Sequence, residues 1–159
     1  MIDRRSILTG GTAAAIGAVT ASASTPHEER NGHIQPEGVA PGVGYSHVVW
    51  GAGRFAAIAG QVSVDETGKL VGPGDPTAQA RQVFENLRRC LHAVGSTFAD
   101  VLSLTIYVTD IGFMPQVRAV RDEVLGKTPP PAATAVQVVA LARPEFLMEI
   151  EAFTVARDA

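Results

Sequence analysis

The chain is poor in cysteine, in charge and in aromatic residues, and each shortage removes a class of function. A single cysteine, Cys90, among 159 residues excludes an intramolecular disulfide and any multi-cysteine metal site. It falls inside a helical pattern and reads as a small buried apolar side chain. Charged residues are 18% of the total, with a formal balance of −3. No cluster of lysine and arginine is interleaved with aromatics, which argues against a nucleic-acid surface. His27, His33 and His47 lack the spacing of metal ligands, so no metal site is expected. What is plentiful is apolar surface, 46% of residues, in a length suited to one domain with a real core and too short for two.

The first residues read as an address. "DRRSILTGG" gives paired arginines before apolar residues, "TAAAIGAV" a weakly hydrophobic stretch, and "ASAS" a small-x-small cleavage site after Ala23. This order resembles a twin-arginine (Tat) export signal over residues 1–23. The stretch is too short and too rich in Gly and Thr for a membrane span. The Tat export machinery is therefore an expected partner, and the periplasm or the exterior the expected location. Residues 24–43 carry no apolar period and read as a linker, with the domain proper over 44–157.

Within that domain, "GYSHVVW" (44–50) and "RFAAIAGQVSV" (54–64) read as strands, and "KLV" after the "DETG" turn as a short third. Asp75 as cap, Pro76 at the first helical position and Gly95 as terminator bound a helix. Its apolar stripe is Val83, Leu87, Leu91 and Val94 with Phe84 beside it, and Arg81, Glu85, Arg88, Arg89 and His92 lie on a solvated face. "VLSLTIYVTD" alternates as a strand, with Leu102, Leu104, Ile106 and Val108 on one side and Ser103, Thr105 and Tyr107 on the other. "MPQVRAVRDEVLG" reads as a second helix whose inward residues are Val117, Val120 and Val124.

Two apolar strands, joined by a short Arg-Pro turn, close the chain. The last places Glu149 and Glu151 on one face, and the strand over 134–141 offers no cation to meet them. That strand is apolar on both sides, Val136 and Val138 against Val139 and Leu141. The order β-β-β-α-β-α-β-β gives an α+β sheet with two helices on one face. A strand buried on its other face calls for another subunit.

Several stretches, in order, resemble the RidA (YjgF/YER057c/UK114) family: "GYS", "AGQVSVDETGKLV", "QARQVFENLRRCLHAVGSTFADVLSLTIYVTD", "PAATAVQV" and "MEIEAF". The resemblance runs over roughly residues 36–157. It implies a chorismate-mutase-like α+β fold assembled as a homotrimer, with small-molecule clefts between subunits. It further implies hydrolysis of reactive enamines or imines without metal or cofactor. Glu149 matches the family's water-positioning acid, Tyr45 a cleft-lining tyrosine, Gly60 a glycine approached closely by ligand, and Ala135 a backbone N–H donor. Ala135 also replaces the family's occasional reactive cysteine. Pericyclic chemistry of the chorismate-mutase kind would share only the fold, since these strands lack clustered cations.

One departure stands out. Deaminase-type members carry Pro-Ala-Arg-Ser/Thr, where the arginine grips a substrate carboxylate; here the run is Pro131-Ala132-Ala133-Thr134. Alanine offers no donors where a guanidinium would make a two-pronged ion pair. The family's cleft asparagine aligns with Arg118, which either reaches the cleft from another wall or is a solvent-facing helix charge like Arg121. Two functions follow: a RidA-like hydrolase for an imine or enamine lacking an anchoring carboxylate, with Glu149 holding the water, or a non-catalytic trimeric module that binds a small molecule or a protein.

Overall fold

The computed structural model describes residues 31–156, so the export signal expected over 1–23 lies outside the described residues. The elements are β1 (Asn31–Ile34), β2 (Val48–Gly51), β3 (Arg54–Gln61), α1 (Pro76–Ala93), β4 (Val101–Val108), α2 (Met114–Leu125), β5 (Ala132–Gln137) and β6 (Met148–Ala156), with short 3-10 turns before β4 and α2. The order β-β-β-α-β-α-β-β is the one expected, but its first three strands are drawn differently. Part of the expected linker is β1, which pairs antiparallel with β2. "KLV" forms no strand and leaves only a single bridge, Val64 to Leu70.

The main sheet has strand order β3-β6-β4-β5. β6 is antiparallel to both neighbours, and β4 is parallel to β5 through the α2 crossover. The last two strands are therefore not a hairpin: β4 lies between them. β5 also ends at Gln137, earlier than its apolar run, and Val139 stands fully exposed. The residues that continue the run lead into the connection to β6.

Alternation in β4 and β6 decides which face is covered. Leu104, Ile106 and Val108 with Met148, Ile150 and Ala152 are buried beneath Val83, Phe84, Leu87 and Leu91 of α1 and Met114, Val117 and Val120 of α2. Asp75 caps α1 by accepting from the Thr77 and Ala78 N–H groups, worth about 1 kcal/mol. Cys90 is half-buried against this core, and His92 is exposed, as expected. Val124 is exposed instead of inward, and Arg121 takes the buried place on α2. Among the described residues, no helix lies on the other sheet face. On it Phe55 and Phe153 stack at 5.5 Å, 62% and 37% exposed.

α1 also fixes the start of β6. Gln79 is fully buried; its amide nitrogen donates to the carbonyls of Gly72 and Glu145, and its oxygen accepts from the Leu147 N–H. Gln79→Leu keeps the volume while stranding the Glu145 carbonyl and the Leu147 N–H. Urea denaturation should show a loss of about 2–4 kcal/mol, the cost of buried polar groups left unpaired.

Candidate functional site

The acids of β6 reach the uncovered face because Met148, Ile150 and Ala152 occupy the covered one. The residues paired with them across the ladder are Tyr107 for Glu149 and Thr105 for Glu151, both from β4. The group that meets Glu151 is thus a phenol and not a cation: the Tyr107 hydroxyl donates to Glu151 Oε1 at 3.3 Å. Burial, then the Glu151 and Glu149 carboxylates, push the Tyr107 phenol above its ordinary value.

On the other side of β6, β3 shifts register between Ile58 and Gln61, and Gly60 falls in the irregular stretch. A Cβ at Gly60 would collide with the Glu149 carboxylate and lie 2.7 Å from its Cδ. Glycine leaves this notch open, and a side chain at position 60 would push the Glu149 carboxylate out of it, so the two positions are sterically coupled. α1 steadies the end of β3: the Asn86 amide donates to the Val62 and Val64 carbonyls, and the Gln82 amide to Val64.

The remaining expected site residues gather elsewhere. Tyr45, Arg118, Ala133 and Ala135 line a cavity of about 270 Å³ with Val43, Ile106, Met114 and Arg121. Ala133 and Ala135 pair with Leu104 and Ile106, which places them on the face opposite Glu149. Ser46 draws the Tyr45 loop to this edge: its N–H donates to the Pro131 carbonyl and its hydroxyl to that of Pro130. The expected site residues therefore fall in two groups, Gly60 with Glu149 and Tyr45 with Arg118 and Ala135, on opposite faces of the sheet. Among the described residues, no three His, Cys, Asp or Glu side chains gather closely enough to hold a metal ion.

Arg121 is the residue that sequence reasoning missed. The reading of α2 as a Val117, Val120 and Val124 stripe placed it outside. Helical spacing held the contrary signal, because Arg121 is four residues from both Val117 and Leu125, which are buried with it. It is 5% exposed, and its Nε and Nη2 donate to Asp122 Oδ1 at 2.9 and 2.7 Å.

A two-helix α+β sheet of this order, with an acid on its open face and a cavity at its β5 edge, defines a RidA-like protein. The family model described as Endoribonuclease L-PSP matches residues 18–156, and the chain belongs to that family, which includes the RidA, YjgF and RutC proteins. A RutC family protein of Pyrococcus horikoshii is 40% identical over 102 residues, covering 64% of this chain and 79% of that protein. The 2-iminobutanoate/2-iminopropanoate deaminase of Escherichia coli is 31% identical over 108 residues, covering 66% and 82%. A crystal structure of a Rid family protein of unknown function from Yersinia pestis superposes with a TM-score of 0.74 at 38% identity, over 79% of this chain and 98% of that one.

The Tyr107 contact is open to titration. A phenol whose folded value is raised stabilises the fold fully below its ordinary value of 10.0, and that contribution is lost as pH rises through the raised value. With two tyrosines in the chain, ultraviolet titration should resolve one ionising late. In Glu151→Gln that step should move down toward 10.0; no movement would show that the carboxylate does not act on the phenol.

Proposed function

We propose that the protein hydrolyses a small imine or enamine, with Glu149 holding and deprotonating the attacking water. The observation that carries this reading is the Glu149 carboxylate seated in the notch that Gly60 leaves open, in a chain whose relatives include a protein named as an imine deaminase. An iminium carbon is already electrophilic, so the protein must orient it, present a water and move protons. Water adds to the carbon and its proton passes to Glu149. The carboxyl group then returns the proton to the amine nitrogen of the tetrahedral adduct. The C–N bond breaks as the adduct's hydroxyl gives its proton to the regenerated Glu149 carboxylate, ammonia departs and a carbonyl remains.

A second chain is needed to complete this arrangement. Glu149 and Gly60 face away from Tyr45, Arg118 and Ala135, and the stacked pair of Phe55 and Phe153 leaves an apolar patch on the open face. Burying that face against another copy removes apolar area from water and brings unlike half-sites together. We infer a homotrimer with three inter-subunit clefts. Light scattering on the eluting protein should give three times the chain mass. A monomer that is nonetheless active would overturn the shared cleft. The paired arginines near the N-terminus support action after export, away from cytoplasmic enamine sources.

Turnover decides between the hydrolase and the non-catalytic module that Ala133 otherwise favours. Purified protein is given 2-iminobutanoate, formed in situ, and a neutral imine, and carbonyl product is followed against buffer. We expect hydrolysis above buffer and a fall of about a hundredfold or more in Glu149→Gln, the usual weight of a positioned base. An unaffected variant would remove Glu149 from the chemistry, and tight binding without turnover would establish the binding module.

A further inference from the structure

The cavity at the β5 edge holds a buried cation although its strand supplies none. We propose that Arg121 is the anion anchor of this protein, gripping a small carboxylate through the Nη1–Nη2 edge of its guanidinium. The assignment rests on reading the cavity as one half of the substrate cleft. It reverses the expectation, drawn from Ala133, of a substrate without a carboxylate.

Three observations converge on it. First, the Arg121 side chain is 6% exposed whereas that of its partner Asp122 is 66% exposed, so the cation is inside and its counter-charge at the surface. Second, Asp122 uses a single oxygen, Oδ1, to accept from both Nε and Nη2. That contact occupies one edge of the fork and leaves the Nη1–Nη2 edge, which matches a carboxylate in two-pronged geometry. Third, the surroundings are cut back to make room. Ala133 and Ala135 contribute only methyl groups to the cavity wall.

The charge balance is consistent. Arg118 lines the same cavity from an exposed position one helical turn earlier. Two guanidinium groups and one surface carboxylate leave the cavity short of negative charge, and a bound anion supplies it. Arg118 then widens the positive field at the mouth, while Arg121 fixes the ligand's orientation.

Calorimetric titration of the full chain with 2-oxobutanoate, the carbonyl product of 2-iminobutanoate hydrolysis, tests this, with butanone as the neutral counterpart. Wild type should bind the carboxylate and not the ketone. Arg121→Gln should weaken binding about tenfold or more, and Arg121→Lys, which keeps the charge and loses the fork, should fall between. Ala133→Glu leaves Arg121 and Asp122 untouched and sets an internal carboxylate in the cavity; it should abolish binding, which covers the case of an Arg121 variant that does not fold. Unchanged affinity in a folded Arg121→Gln or in Ala133→Glu, or no preference for the carboxylate in wild type, overturns the assignment. Glu149→Gln should still bind 2-oxobutanoate. Binding retained without turnover in wild type therefore sinks the hydrolase reading alone, and turnover that ignores Arg121 sinks this one alone.

Discussion

The two-residue period of β6 is the constraint on which the rest depends. This strand lies between β3 and β4 and contributes Met148, Ile150 and Ala152 to the core beneath both helices. Once those residues are committed to the covered face, Glu149 and Glu151 can only project from the other. A slip of one residue would send both acids into the core and expose the apolar set, so the register is held by the whole hydrophobic free energy of the core. The position of the acid is thus inherited from packing and needs no dedicated support beyond the opening at Gly60.

The same constraint divides the site. β5 presents Ala133 and Ala135 to the helix side, where α2 and the 43–45 loop enclose a cavity, while Glu149 looks the other way. On the function proposed above, one chain carries its site groups on opposite faces of one sheet, and a second copy would bring them together. Exposed aromatics on the open face are consistent with this, since no element among the described residues covers Phe55 and Phe153.

Much of this was legible in the sequence, and the failures are informative. Strict alternation announced β4 and β6, and the Asp75-Pro76 cap announced α1, because each signal is local and redundant. An apolar run over 134–141 does not reveal where pairing stops: β5 ends at Gln137, and the Val138 N–H donates to the Val108 carbonyl just beyond it. The pairing of the two acids was misassigned for a related reason. Strands adjacent in sequence are not adjacent in space here, because the parallel β4–β5 crossover sends the chain to the edge and brings β6 back through the middle. Arg121 was placed in solvent on residue type alone, although its spacing from Val117 and Leu125 put it on the buried face. A charged residue at an apolar position is weak evidence for a helix boundary and strong evidence for a site.

The void at Gly60 carries a consequence for how such chains can diverge. Its missing side chain is a cast of the carboxylate beside it: the two positions occupy one volume, and neither is free to vary while the other keeps its form. A descendant that abandoned the acid would lose this steric reason to keep position 60 bare. On the function proposed above, a bare position 60 and an acid at 149 should be kept or lost together.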